Sequence, residues 1–272
     1  MSDPNDWIAS LPMYDFPELR AHTELYWTAL KDEFAKHGLN HAPETLSRAH
    51  DLATLWQDPQ LIFAQTCGYP LKTWLKGRLR YVATPIYHAE GCKGPEHSSV
   101  VIVKKGSAIT SVTGAFGNIV AVNQPDSNTG MNLLRLLLAR SGAKGKMFDE
   151  VIMTGSHRQS ISAVASGQAA LAAIDCVSFA LLKQSDPDLI SQVSVIDRTP
   201  FTPSLPFVTS LQTSDTDIAI MRHALASALD ALPQSTKAAL MLDAITVLDE
   251  KDYDRVLAYE NEAAQLGYAQ LQ

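Results

Sequence analysis

Short apolar runs alternate along this chain with longer stretches of helical period, and no other feature restricts its fold so far. A strand buried on both faces needs helices to cover it, so the pattern predicts an α/β architecture with mostly parallel strands. Trp7 to Leu11 reads as a first strand ended by Pro12. From Pro17 onward Leu19, Thr23, Tyr26, Trp27, Leu30 and Phe34 recur at spacings of three and four, which predicts a helix stopped at Gly38. A second helix is expected from Pro43 to Trp56, then a buried strand from Leu61 to Thr66 and a turn at Cys67 to Pro70. Leu79 to Thr84, Ser98 to Val103 and Ile119 to Asn123 read as strands, and Asp126 to Gly130 as a turn feeding a Leu-rich helix that stops near Gly142. Val151 to Thr154, His157 to Ser166 and Leu171 to Asp175 form a strand-helix-strand unit. Pro187, Pro200, Pro203 and Pro206 confine their stretch to extended or turn structure, and Asp215 to Leu232 and Ser235 to Gly267 are helical in pattern.

A length of 272 residues corresponds to about two domains or one large one. The Gly-, Pro- and charge-rich stretch Tyr87 to His97 is the expected crossing between them, with a first unit of 1–97 plus about 248–272 and a second of 98–247. A formal charge of −7 argues against nucleic acid or an anionic membrane surface as partner. Cys67, Cys92 and Cys176 make no disulfide framework, although one bridge is open to them. His88, Cys92 and His97 lack the paired, close spacing of a zinc site, so neither a metal nor a cofactor is expected. The acidic start lacks the basic and apolar regions of a secretory signal, and the longest apolar run, Met131 to Ala139, is too short to span a bilayer. The expectation is a chain without membrane insertion, cytoplasmic unless it is a mature form.

Two polar turns between a strand and a helix are the most informative residues. Asp126-Ser127-Asn128-Thr129-Gly130 brings hydroxyls and a residue without a side chain to a helix start, where unpaired N–H groups and the helix dipole favour negative charge. Thr154-Gly155-Ser156-His157 repeats the arrangement, and open α/β sheets bind ligands at that edge. Both sets are equally good helix caps, and Ser156 with Gln159 fits a capping box. Asp175 ends a strand, where it either faces a cleft or caps the next helix, and Tyr14, Tyr69 and Tyr87 follow strand ends where aromatic rings wall a cleft or pack. Cys67 with His157 would be a nucleophile and base only if the fold joined them.

Ser127-Asn128-Thr129-Gly130, Thr154-Gly155-Ser156-His157, Ala163 to Ala169, Ala173-Ile174-Asp175 and the Pro-rich return from Thr199 to Val208 resemble, in order and spacing, the phosphonate and phosphate ABC-transporter substrate-binding proteins. The resemblance runs from Leu11-Pro12-Met13-Tyr14 onward and is strongest from Ser98 to Thr209. It implies a type 2 periplasmic-binding-protein fold, with two α/β lobes joined by hinge strands, a ligand cleft between them and a periplasmic location. It also implies ligand contacts at Ser127, Asn128, Thr129, Gly130, Ser156 and His157, aromatic contacts at Tyr14 and Tyr69, and an acidic residue near the ligand's cationic end at Asp175. The family commonly shows Ser-x-Ser-Gly or Ser-Thr-Ser-Gly at the anion turn, where this chain has Asn128 and Thr129, and an acidic residue after Gly-x-Ala, where it has Ala170. The function so implied is binding of a small anionic solute, phosphonate- or phosphate-like, for a transporter permease. The alternative is a cytosolic enzyme or ligand sensor on the same fold.

Overall fold

The computed structural model describes residues 7–48 and 51–272. The chain divides into two compact units, one of Met1–His88 with Pro203–Glu250 and the other of Ala89–Thr202 with Lys251–Gln272.

The first unit is built on a sheet whose strands β1 (Ile8–Ser10), β2 (Leu61–Gln65) and β3 (Leu79–Tyr87) belong to the early chain, and whose β12 (Phe207–Ser210) and β13 (Leu242–Thr246) come late. Their order is β1-β2-β12-β3-β13. Only β1 and β2 pair in parallel; β12 runs antiparallel to both neighbours, and β13 is antiparallel to β3. Every residue of β2 is buried, because both faces of the sheet are covered. On one face α1 (Arg20–Lys36) brings down Thr23, Tyr26, Trp27, Leu30 and Phe34, the periodic set of the sequence. Phe34 meets Phe63 edge-on with centroids 5.8 Å apart, and Phe63 lies 5.1 Å from Phe207, so residues far apart in sequence share one aromatic core. Burying each such side chain contributes about 1.5–3 kcal/mol. A second cluster joins Leu55 and Trp56 of α2 (Leu52–Trp56), Leu71 of α3 (Gly68–Lys72), Leu75 and Val208.

In the second unit the sheet order is β10-β6-β9-β7-β8, from β6 (Ser99–Lys104), β7 (Ile119–Val122), β8 (Glu150–Met153), β9 (Leu171–Asp175) and β10 (Val193–Arg198). The trio β9, β7 and β8 is parallel, whereas β6 is antiparallel to both β9 and β10. Each strand of the trio runs directly into a helix: β7 towards α4 (Leu133–Arg140), β8 into α5 (His157–Ser166) and β9 into α6 (Cys176–Ser185). Their three helix starts therefore share one edge of the sheet. A small hairpin, β4 (Cys92–Lys93) with β5 (Glu96–His97), precedes β6, and the short helix α7 (Pro187–Ile190) precedes β10. Pro187, expected in extended or turn structure, instead opens that helix, where its missing N–H costs nothing. The two-residue strand β11 (Thr202–Pro203) stands where the chain passes between units.

Several expectations change. No helix forms over 43–48; α2 begins only at Leu52, where Asp51 caps it, and residues 49–50, like the acidic start over 1–6, lie outside the described residues. Cys67 to Pro70 opens the short helix α3 instead of making a simple turn. The helical pattern from Ser235 to Gly267 is broken into α9 (Gln234–Leu240), β13, a 3-10 turn at Glu250–Asp254 and α10 (Arg255–Gln265). The break is at Met241, which holds φ 51° and turns the chain so that β13 can pair with β3. The strands are mixed and not mostly parallel, since the late strands return against the early ones. The unit boundaries differ as well. Tyr268 and Ala263 are buried in the core of Leu134, Phe148 and Leu171, so the C-terminal segment packs with the second unit. The segment 203–250, with β12, β13 and the helix α8 (Asp215–Ala231), goes with the first.

Candidate functional site

Ser127 follows β7 in extended conformation (φ −73°, ψ 127°), and its Oγ accepts the Gly130 N–H at 3.0 Å. The N–H groups of Asn132 and Leu133 reach five residues back, to Ser127 O and Asn128 O, so the helix opens with a π turn over Asn128–Asn132 before α4 begins. Such turns are rare and widen the helix locally. The widened turn is buried, from Met131 at 8% exposure to Asn132 at 0%, and so is its cap Ser127. Its side chains are tied inward: Asn128 Nδ2 donates to Thr202 Oγ1 at 3.0 Å, Asn128 Oδ1 accepts from Asn132 Nδ2, and Ser99 Oγ donates to the Thr129 carbonyl at 2.8 Å. Gly130 is required here by space, because a Cβ would lie 1.8 Å from Asn123 Oδ1.

At the second joint Ser156 Oγ accepts the Gln159 N–H at 3.2 Å, an ordinary N-cap, and donates to Gln159 Oε1 at 3.3 Å. Gln159 thus meets the Ser156 hydroxyl and not its backbone N–H, so only half of the capping box expected from sequence forms. His157 then reaches across to the first joint, its Nε2 3.1 Å from Thr129 Oγ1. Burial, with His97 as a further positive neighbour, brings its pKa down to about 4, so the ring is neutral at pH 7. Its Nδ1 is shielded from solvent and meets no partner among the described residues. The two helix starts are thereby one continuous polar site with no formal charge.

Charge enters at the third joint. Asp175 Oδ1 accepts the Ser178 N–H at 2.8 Å and caps α6, while Oδ2 lies 2.9 Å from His97 Nδ1. Both side chains are at most 2% exposed. Burial alone would neutralise each, but the carboxylate raises the His97 pKa above its usual value and the imidazolium lowers that of Asp175. The pair is therefore charged, and Asp175 is occupied by protein groups on both oxygens. His97 was missed by sequence reasoning except as a metal candidate. Its partner becomes visible only through the register Ser99↔Asp175, which needs the sheet order. Among the described residues no group of three or more His, Cys, Asp or Glu is placed to hold a metal.

Tyr14 and Tyr69 both belong to the first unit. Tyr14 meets Tyr87 edge-on at 5.2 Å and, with Tyr26, Gln65 and Phe207, lines a cavity of about 30 Å3, room for one water. Gln65 Nε2 donates to Tyr87 OH at 3.1 Å and to Leu205 O at 3.0 Å, fixing one wall. Tyr69 is buried in α3 and does not line that cavity. Cys67 belongs to the first unit and His157 to the second.

Residues 60–253 match the family model described as ABC transporter, phosphonate, periplasmic substrate-binding protein. The chain belongs to this family. It is a family of transporter substrate-binding proteins and not of enzymes, so the enzyme alternative has no support. No curated protein matches the chain significantly. Among solved structures it is similar to a binding-protein component of an ABC phosphonate transporter from Pseudomonas aeruginosa, with 19% identity, TM-score 0.73, and 95% of this chain and 87% of that one covered. It is also similar to PhnD1 from Prochlorococcus marinus in complex with methylphosphonate, with 15% identity, TM-score 0.68, and 97% and 100% covered. A Xanthomonas citri protein bound to chloride ion shows 13% identity and TM-score 0.69, with 95% and 98% covered. These likenesses establish the periplasmic-binding-protein fold with its two α/β units. As a family member, the chain has a small ligand and a transporter permease as its partners. Among the described residues no helix is long and apolar enough to cross a membrane.

Proposed function

We propose that the joint Ser127–Gly130, with His157 at the α5 start that Ser156 caps, holds the oxyanion of a phosphonate delivered to the permease. The observation that carries this is the 3.1 Å contact between Thr129 Oγ1 and His157 Nε2, which merges two helix starts into one site. Helix-start N–H groups and the dipole behind them attract an anion without any Lys or Arg side chain in the turn. That matters because the chain's charge of −7 works against anions at long range. Neutral His157 and the Thr129 hydroxyl re-pair with the incoming oxygens, each able to donate or accept. The solved relative with methylphosphonate supports the ligand class. In the first unit the proposed contacts are Tyr14 and Tyr69, on the strength of the resemblance.

The test is thermal unfolding with methylphosphonate, phosphite, phosphate and acetate. A ligand at 100 times its Kd raises stability by about 2.7 kcal/mol. The phosphorus oxyanions should give that rise and acetate should not; no shift with any of them would overturn the proposal.

A further inference from the structure

We propose that Cys92 and Cys176 are a dithiol–disulfide pair, closed by exchange with a small-molecule or protein disulfide, that locks the β4–β5 hairpin onto the start of α6. The two Sγ atoms are 3.6 Å apart. A rotation about each Cα–Cβ bond brings such sulfurs to bonding distance when the backbones already stand close enough. Here they do. Gly91 presses against Cys176 so tightly that a Cβ on it would lie 2.8 Å from Cys176 Cβ and 2.7 Å from Arg198 Nη1, and its φ of 104° suits glycine. Ser98 holds both sides: its N–H and its hydroxyl each donate to Gly91 O at 3.0 Å, and its carbonyl accepts the Cys176 N–H at 3.1 Å. The cysteines therefore face each other across a framework fixed by three hydrogen bonds, independent of any ligand.

Their exposures differ in the way exchange requires. Cys92 is partly exposed and Cys176 is buried. The Cys92 thiolate attacks one sulfur of the oxidant R–S–S–R, forming a mixed disulfide and expelling one thiolate, which takes up the proton Cys92 lost. Cys176 then gives its proton to solvent and attacks the Cys92 sulfur, forming the internal bond and expelling the second thiolate. Two electrons pass from the cysteines to the oxidant, and two R–SH molecules leave. The contact with Cys92, burial and the Asp175 carboxylate raise the pKa of the Cys176 thiol in the reduced pair, so Cys92 is the sulfur that starts the exchange. The bond spans 84 residues of sequence, a long loop to close in the unfolded chain. It also anchors the hairpin that carries His97 beside the residue following Asp175.

The full chain is incubated with oxidised glutathione and its intact mass, peptide map and thermal midpoint are measured. Expected are a loss of about 2 Da, a Cys92–Cys176 linked peptide, and a midpoint raised by several degrees that dithiothreitol reverses. Cys67→Ser should keep all three results, and Cys92→Ser should lose them. A glutathione adduct that persists on Cys92 without a linked peptide, or a bridge that includes Cys67, would overturn the proposal.

Discussion

The two serine joints of the second unit look alike in sequence and differ in how they are held. Ser127 starts a buried π turn in which Asn128 and Thr129 are fixed by contacts from elsewhere in the unit, at Thr202 and Ser99, and Gly130 leaves no room beside Asn123 for a Cβ. Ser156 starts α5 at a half-exposed surface, and its partner is Gln159 three residues on. The second joint also leans on distant chain, since Thr154 Oγ1 donates to Val122 O at 3.2 Å and the Gly155 N–H to Asn123 O at 2.8 Å, but its side-chain cap is local, and His157 links the two joints. The difference teaches that a capping sequence alone does not distinguish a ligand turn from a cap. In this chain the turn proposed to hold the ligand differs from the cap in having its buried side chain and carbonyl tied to distant groups, at Thr202 and Ser99.

The third joint extends the comparison, because its cap is a charge. Removing His97 leaves Asp175 buried without its counter-ion, which typically costs 3–5 kcal/mol, so His97→Ala should destabilise by about that much in denaturant unfolding. The pH dependence separates the histidines. His97 has a raised folded pKa, so its contribution is complete below the unfolded value near 6.5 and is lost as pH rises through the folded one. Asp175, with a lowered pKa, contributes above its unfolded value near 3.9 and loses this as pH falls through the folded one. His157 has the opposite slope to His97. The unfolded chain binds its proton below about 6.5 and the folded chain only near 4, so stability falls with acid in that window by up to about 1.4 kcal/mol per pH unit. A stability profile of His157→Asn that keeps the full acid slope would break the assignment of a neutral ring.

Next in size is the loss of the buried turn's hydroxyls. Ser127→Ala with Thr129→Ala should weaken methylphosphonate binding by at least about 100-fold, or 2.7 kcal/mol, measured by calorimetry, with a stability loss of only about 1 kcal/mol per cap. Unchanged affinity in that variant would make the first joint a cap like the second. His157→Ala should cost about tenfold in affinity, near 1.4 kcal/mol. The reason is that its imidazole contributes one neutral hydrogen bond, in contact with Thr129.

Local signals were legible where the physics is local. The face of α1, the Ser156 cap of α5 and the strand end at Asp175 follow from spacing and side-chain type within a few residues, while β8 ends at Met153, one residue before the expected Thr154. What sequence did not reveal depends on residues far apart. The strand β13 hides in a helical pattern because its partner is Tyr87, Ile86, Pro85 and Thr84, some 160 residues earlier by simple subtraction of register numbers. The π turn needs a Ser99 hydroxyl on the Thr129 carbonyl, and the His97–Asp175 pair needs the order β6-β9. The joint positions were legible as polar turns between strand and helix and the resemblance supplied their ligand role, yet Asn128 commits its amide to Thr202 and Asn132. Its side chain supports the turn and leaves the hydroxyl of Thr129 to meet His157.

The smallest expected effect is the sharpest test of the contrast between the joints. Ser156→Ala removes the oxygen that accepts the Gln159 N–H, and an N-cap of this kind is worth about 0.5–2 kcal/mol. Because Gln159 is exposed, water replaces part of the bond, which puts the cost at the low end, about 0.5 kcal/mol. If Ser156 works only as a cap, methylphosphonate affinity in calorimetry stays within about twofold of the parent, since α5 remains seated through Ile161 and Val164 and still presents His157. A larger loss would mean that the Ser156 hydroxyl leaves its cap to meet the ligand. The second joint would then be a binding turn in its own right, and its exposure, not its sequence, would be the only thing distinguishing it from the first.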